Sequence, residues 1–227
     1  MKYVVFSLDD GTVFDRATIE LFSRYDVHAT FNLNSGLSSF VWYYEDKIPI
    51  YRNDLERNVH LYDNHEVASH TLTHPYLDSC PDERVIEEVR QDKANLERIF
   101  HREIVSFATP FETAGEREVE LIKKYTGIKN IRLSYIDETF RIPVDPYHIP
   151  ITAMDISRAL ELLPSFLELV EGCFIYAGHS YDFYIGNSFD QLEEFLRSIS
   201  NRSDVRILTM GEFAQDVICK YSKKSNF

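Results

Sequence analysis

Apolar positions along this chain fall into short runs rich in β-branched and aromatic residues, separated by longer stretches of helical period. Lys2 to Leu8 alternates, carries Val, Tyr and Phe, and ends at Asp9-Asp10-Gly11, which predicts a strand. Asp15 to Tyr25 follows with Ile19, Leu21 and Phe22 at helical spacing. Further strands are predicted at Val27–Leu33, Glu66–Ser69, Val105–Phe107, Lys129–Leu133, Cys173–Tyr176 and Val205–Leu208. Helices are predicted near Pro81–Phe100, Gly115–Tyr125, Ile156–Val170 and Phe189–Ser200, with a last one from Met210. The longest helix has the clearest signals: Pro81 suits its start, Asp82 and Glu83 suit the positive end of its dipole, and Val85, Val89, Leu96 and Ile99 recur on one face. Gly36 to His65 has no such period. It reads as an irregular insertion carrying Phe40, Trp42, Tyr43, Tyr44, Tyr51 and Tyr62.

Strands alternating with helices imply a parallel sheet joined by right-handed crossovers. With 227 residues and 44% hydrophobic content, the chain can bury one large core, so residues 1–227 are expected to form a single α/β domain. A net charge of −13 argues against nucleic acid or an anionic membrane as partner, since both attract basic patches. Cys80, Cys173 and Cys219 are odd in number and far apart, as reduced structural thiols would be. Acidic residues follow the first apolar run at once, with no cleavage site, and no apolar run approaches a membrane span. The expectation is a cytoplasmic protein, or an extracellular one whose leader is missing from the sequence.

Candidate chemistry concentrates at the ends of predicted strands. Ser69-His70-Thr71-Leu72-Thr73-His74-Pro75 holds two imidazoles, and Asp9-Asp10 offers a carboxylate to complete a three-ligand set with one position open for water. Such a set suits Zn²⁺ first, with Co²⁺, Ni²⁺ or Mn²⁺ as alternatives. Thr71 stands where the helical zincin motif needs Glu, and Pro75 disfavours helix at His74, so the pair belongs on a strand-end loop. His28, His60, His65, His101 and His148 lack comparable company. Adjacent Asp9 and Asp10 can face one pocket only if the chain bends there, and Gly11 permits a bend. Trp42 is the best candidate in the insertion to stack on a ring of a bound ligand.

Asp9-Asp10-Gly11, the His70/His74 pair, Phe107-Ala108-Thr109-Pro110-Phe111 and Ile175-Tyr176-Ala177-Gly178-His179 resemble, in that order, the motifs of the polysaccharide deacetylases, the NodB-like carbohydrate esterases. The resemblance implies a distorted (β/α) barrel of about seven parallel strands, with the motifs gathered at its C-terminal mouth. It implies a metal-dependent hydrolase that removes acetyl groups from an N-acetylated sugar polymer or oligomer by cleaving a non-peptide carbon–nitrogen bond, or alternatively from an O-acetylated one by cleaving an ester bond. It assigns Asp10, His70 and His74 to the metal, Asp9 as general base and His179 as general acid. Thr109 and Pro110 lead to the Phe111 amide as oxyanion donor.

Two departures stand out. Ala108 replaces the arginine that in many members pairs with the catalytic aspartate, and Arg132 at the end of a later strand is the candidate substitute. The carboxylate that orients the catalytic histidine has no clean match, and Asp155 is the candidate. The alternatives are a metal-free amidohydrolase on the same barrel and a non-catalytic carbohydrate-binding relative that kept the metal site.

Overall fold

The computed structural model describes residues 1–224. In chain order the elements are β1 (Lys2–Asp9), α1 (Asp15–Arg24), β2 (Thr30–Leu33), β3 (Val41–Tyr44), β4 (Ile48–Tyr51), β5 (Glu66–Ser69), α2 (Asp82–Phe100), β6 (Ser106–Ala108) and α3 (Glu116–Tyr125). They continue with β7 (Asn130–Ile136), β8 (Ile149–Ile151), α4 (Ile156–Glu168), β9 (Gly172–His179), α5 (Ser180–Ile185), α6 (Phe189–Ile199), β10 (Val205–Leu208), α7 (Met210–Phe213) and α8 (Cys219–Lys224). Among the described residues, no helix is long and apolar enough to cross a membrane.

Seven parallel strands follow one another as β1-β2-β5-β6-β7-β8, with β9 on the far edge of β1. An isolated parallel bridge between Ala153, just past β8, and Tyr176 of β9 joins the two ends, giving the distorted barrel the motifs implied. The eighth strand, β10, shares an edge of β1 with β2: Lys2 to Val5 pair with β10, and Ser7 to Asp9 pair with β2.

Period-two alternation along β1 separates two layers. Val4, Phe6 and Leu8 point outward into a cluster with Phe22 of α1, Phe166 of α4 and Phe195 of α6. Fully burying each such side chain contributes about 1.5–3 kcal/mol. Val5 faces the other way and packs with Ile175, Ala177, Leu208, Met210 and Phe213, which fill the lower interior. Asp9, two steps beyond Ser7 on that inner face, marks where the packed interior gives way to the mouth.

The Gly36–His65 segment is more ordered than its pattern suggests. β3 and β4 form an antiparallel hairpin whose turn places Glu45 and Asp46 at φ +48° and +55°. That is the geometry usually signalled by Asn-Gly, absent here. β8 also escapes the sequence reading, because Ile149-Pro150-Ile151 is three residues long and contains proline.

Gly36 brings this segment against the His70–His74 loop. Its N–H donates to the Leu72 carbonyl at 3.1 Å, and a Cβ there would lie 2.5 Å from that oxygen. Gly36→Ala must therefore displace the loop, at a cost of roughly 1–3 kcal/mol in urea unfolding. A variant as stable as the wild type would contradict this close approach.

Candidate active site

Strand register brings the motifs together at the barrel mouth. Asp9 sits opposite His179 on β9 and opposite Asn32 on β2. Both aspartates reach the pocket because Asp10 itself bends the chain, with φ +84°, followed by Gly11 at +66°. A non-glycine residue in this region is strained, and such strain collects at functional sites. Thr71, His74 and Phe111 also have positive φ.

The histidine loop is pinned from α2. Asp92 Oδ2 accepts from Ser69 Oγ at 2.6 Å and from the His70 N–H at 3.3 Å. One turn earlier, Glu88 accepts from the Thr73 N–H at 2.8 Å and the Thr73 hydroxyl at 2.7 Å. The loop closes on itself where the His74 N–H donates to Thr71 Oγ1 at 3.0 Å. Burial pushes Asp92 up to about 7, against the hydrogen bonds it accepts from Ser69, Ser35 and His70.

Asp10, His70 and His74 converge so that one donor atom from each lies within 4.8 Å of the others. Asp10 Oδ1 is 3.6 Å from His74 Nε2 and 3.9 Å from His70 Nε2. His70 Nδ1 is 2.8 Å from the Ala108 carbonyl oxygen. The carbonyl can only accept, so the proton is on Nδ1 and the Nε2 lone pair faces Asp10. Burial dominates the lowering of His70 to about 4, and it also lowers His74, so both imidazoles are neutral and able to ligate at neutral pH. Asp10 is lowered to about 2: burial opposes ionisation, but His179, Arg52 and the two imidazoles outweigh it. Asp10 Oδ1 is buried and accepts no hydrogen bond, although Arg52 Nη2 lies 2.9 Å away as a charge contact. An ionised oxygen without a hydrogen bond, lying near two imidazole nitrogens, makes with them a donor set that a divalent cation satisfies.

Asp9 is clamped. Arg132 Nη2 donates to both carboxylate oxygens at 2.5 and 2.6 Å, and Asn32 Nδ2 donates to Oδ1 at 2.6 Å. Arg132 is only 1% exposed, and in the β6–β7 ladder it stands directly opposite Ala108. The guanidinium thus comes from one strand over, at the register of the missing arginine. Burial works to raise Asp9, but Arg132, His70 and His179 hold it below the ordinary carboxylate range.

His179 ends β9, and its ring is oriented by Asp182 rather than Asp155. Asp182 Oδ2 accepts from the His179 N–H at 2.9 Å and lies 3.0 Å from Nδ1. Asp155 caps α4 instead, its Oδ1 accepting from the Arg158 N–H at 2.9 Å. The readable signal for Asp182 is its place at the third position of the helix that opens after His179, where a carboxylate reaches back to the cap residue. Burial disfavours the imidazolium, yet the Asp182 hydrogen bond and the Asp10, Asp182 and Asp9 charges raise His179 to about 9. Tyr181 stacks on the ring, 4.6 Å between centroids.

These groups open onto a cavity of about 400 Å³, walled by Phe40 and Trp42 of the insertion, Phe111, Met154 and Tyr181. Trp42 packs edge-on against Tyr181 at 5.6 Å, and its buried indole Nε1 has no partner among the described residues. Phe111 lines the cavity, whereas Thr109 and Pro110 are buried and shape the turn behind it. Sequence reading missed Asn32, Asn34, Arg52, Glu88 and Asp92, whose roles arise from contacts between distant segments.

Removing one partner of a buried ion pair leaves an uncompensated charge. Arg132→Met should lose about 3–5 kcal/mol of stability, and the Asp9 pKa should rise by ~1–3 units in a carboxyl-carbon NMR titration of metal-free protein. An unmoved Asp9 titration would show that Arg132 does not set its charge.

The polysaccharide deacetylase family profile matches residues 1–131. No curated protein sequence matches significantly. Among solved structures, the carbohydrate esterase family 4 domain of a multidomain xylanase from the hindgut metagenome of Trinervitermes trinervoides superposes with TM-score 0.64 at 14% identity, covering 95% of this chain and 90% of that one. A family 4 acetyl xylan esterase from Clostridium thermocellum, in complex with a cobalt ion, gives 0.64 at 11% identity, covering 94% and 90%. A family 4 pseudoenzyme from Bacillus anthracis gives 0.61 at 14%, covering 93% of this chain and 65% of its own length. At these identities the structures establish shared fold alone. The family profile spans more than half of the chain and takes in both the Asp9-Asp10 and His70/His74 motifs, so this chain belongs to the polysaccharide deacetylase family.

Proposed function

We propose that residues 1–227 form one catalytic domain, a metal-dependent hydrolase that removes acetyl groups from an N-acetylated sugar, with O-acetylated sugars as the alternative. The observation that carries the reading is Asp10 Oδ1, buried, ionised and without a hydrogen bond, facing the free Nε2 atoms of His70 and His74. Those three residues would hold a divalent ion, Zn²⁺ first and Co²⁺, Ni²⁺ or Mn²⁺ as alternatives. When bound, the ion polarises the acetyl carbonyl and makes water easier to deprotonate.

The remaining chemistry belongs to the chain. Asp9, held ionised and fixed by Arg132 and Asn32, takes the proton from the attacking water. Its Oδ2 lies 3.9 Å from His70 Nε2, beside the ligand set. His179 carries a proton at neutral pH and gives it to the departing nitrogen or oxygen from Nε2, while Asp182 holds Nδ1. The Phe111 amide receives the developing oxyanion. Trp42, which lines the cavity, offers its ring to the sugar face.

Ala108 favours a second reading, a carbohydrate-binding protein without turnover, and the Bacillus anthracis neighbour is itself a pseudoenzyme. The Arg132–Asp9 contact supports catalysis over that reading. The intact ligand set supports metal dependence over a metal-free amidohydrolase.

Purified protein should hold about one divalent ion, lost in the His70→Ala/His74→Ala double variant. Asp9→Asn and His179→Ala should keep the ion and lower kcat for acetate release by ~10²-fold or more. Binding without acetate release across N- and O-acetylated sugars would favour the second reading.

The pH profile offers an independent check. Activity needs Asp9 ionised and His179 protonated, so kcat/KM should fall as pH rises through about 9. Asp182→Asn removes the charge that raises His179, and the basic limb should move down towards ordinary imidazole values. A limb that stays in place would exclude His179 as the acid.

A further inference from the structure

Arg52 follows the β3–β4 hairpin and is buried, yet it lies outside every motif. Its backbone ties the hairpin base to the Asp9-Asp10 turn. Arg52 bridges Thr12, and the Asn53 N–H donates to the Gly11 carbonyl at 2.8 Å. Its guanidinium reaches further: Nη1 donates to the Asp10 carbonyl at 2.6 Å and to Asn34 Oδ1 at 2.5 Å. Asn34, just past β2, passes the connection on. Its Nδ2 donates to the carbonyls of His70 and, at 2.8 Å, Thr71.

We propose that Arg52 and Asn34 form a brace that positions the Asp10 and His70 ligand segments for the metal ion and couples ion binding to the hairpin that walls the substrate cavity. The inference rests on the reading of Asp10, His70 and His74 as ion ligands. A guanidinium beside a cation site opposes the ion by charge alone. Its burial there has two causes: Nη2 lies 2.9 Å from Asp10 Oδ1 and offsets that carboxylate's charge, while Nη1 joins the strained Asp10 backbone to the side chain that fixes the His70 loop. A lysine presents a point charge rather than a planar fork and does not reproduce that geometry. The hairpin carrying Phe40 and Trp42 is anchored by the same residue, so ordering the ligands and ordering the wall are linked, and the linkage is reciprocal.

The test uses charge-conserving changes, so that lost repulsion cannot mask lost geometry. Co²⁺ dissociation constants are measured by calorimetry for wild type, Asn34→Ala, Arg52→Lys and the double variant, each checked for folding by circular dichroism. Each single variant should bind Co²⁺ ~10–100-fold more weakly, the scale of other residues that orient metal ligands. The double variant should be no weaker than the weaker single one, because the two residues act as a unit. Co²⁺ should slow amide exchange across residues 41–51 in wild type and do so less in Asn34→Ala. Should Asn34→Ala fail to fold, Arg52→Lys carries the same comparison. Folded variants that bind within twofold of wild type overturn the brace, as does a wild-type hairpin whose exchange ignores Co²⁺. Wild-type protein that binds no Co²⁺ overturns the metal reading itself, and the brace with it.

Discussion

Two consecutive carboxylates, Asp9 and Asp10, are buried side by side at the mouth of the barrel, and the surroundings are organised by the need to compensate them. Each ion taken out of water costs several kcal/mol even after relaxation. Arg132 and Asn32 converge on Asp9, while Arg52 approaches Asp10. The compensation is unequal. Asp9 accepts three well-formed hydrogen bonds, whereas Asp10 keeps an oxygen without one. That inequality is what the proposed roles require, a carboxylate held for proton transfer beside one left open to a cation.

Backbone strain and helix support are the second element of the design. Four of the eleven described non-glycine residues with positive φ, namely Asp10, Thr71, His74 and Phe111, lie at this one site. Such positions cost of order 1–3 kcal/mol each unless the surroundings hold them. α2 supplies much of that support through Glu88 and Asp92, four residues apart on one helical face and both turned to the His70–His74 loop. The helix therefore covers the sheet and also fixes the His70–His74 loop.

Sequence pattern carried the alternation of strands and helices, because a parallel sheet buried on both faces leaves apolar runs that amphipathic helices separate. It carried the four motifs too, since their residues are adjacent in the chain. It was blind where geometry arises between segments. The bend that turns both aspartates inward is at Asp10 as well as Gly11, a conformation that residue type does not announce. Asp155 looked plausible from its place before a helix and serves as that helix's cap, while Asp182 orients His179 from one turn away. Arg132 could be named because it stands near the end of the predicted Lys129–Leu133 strand, but β7 runs on to Ile136 and the register opposite Ala108 exists only once β6 and β7 pair. Arg52 has no local signal at all, because its partners lie 18 and 42 residues away in the chain.

The proposed chemistry requires one ion shared by Asp10, His70 and His74, with Asp9 and His179 beside it. Anomalous diffraction at the absorption edge of the bound metal, from crystals grown with Zn²⁺ or Co²⁺, tests it most directly. The account predicts a single strong peak at roughly 2.0–2.2 Å from one oxygen of Asp10 and from Nε2 of both histidines. A peak held by other residues, or none at this site in protein saturated with metal, would contradict it.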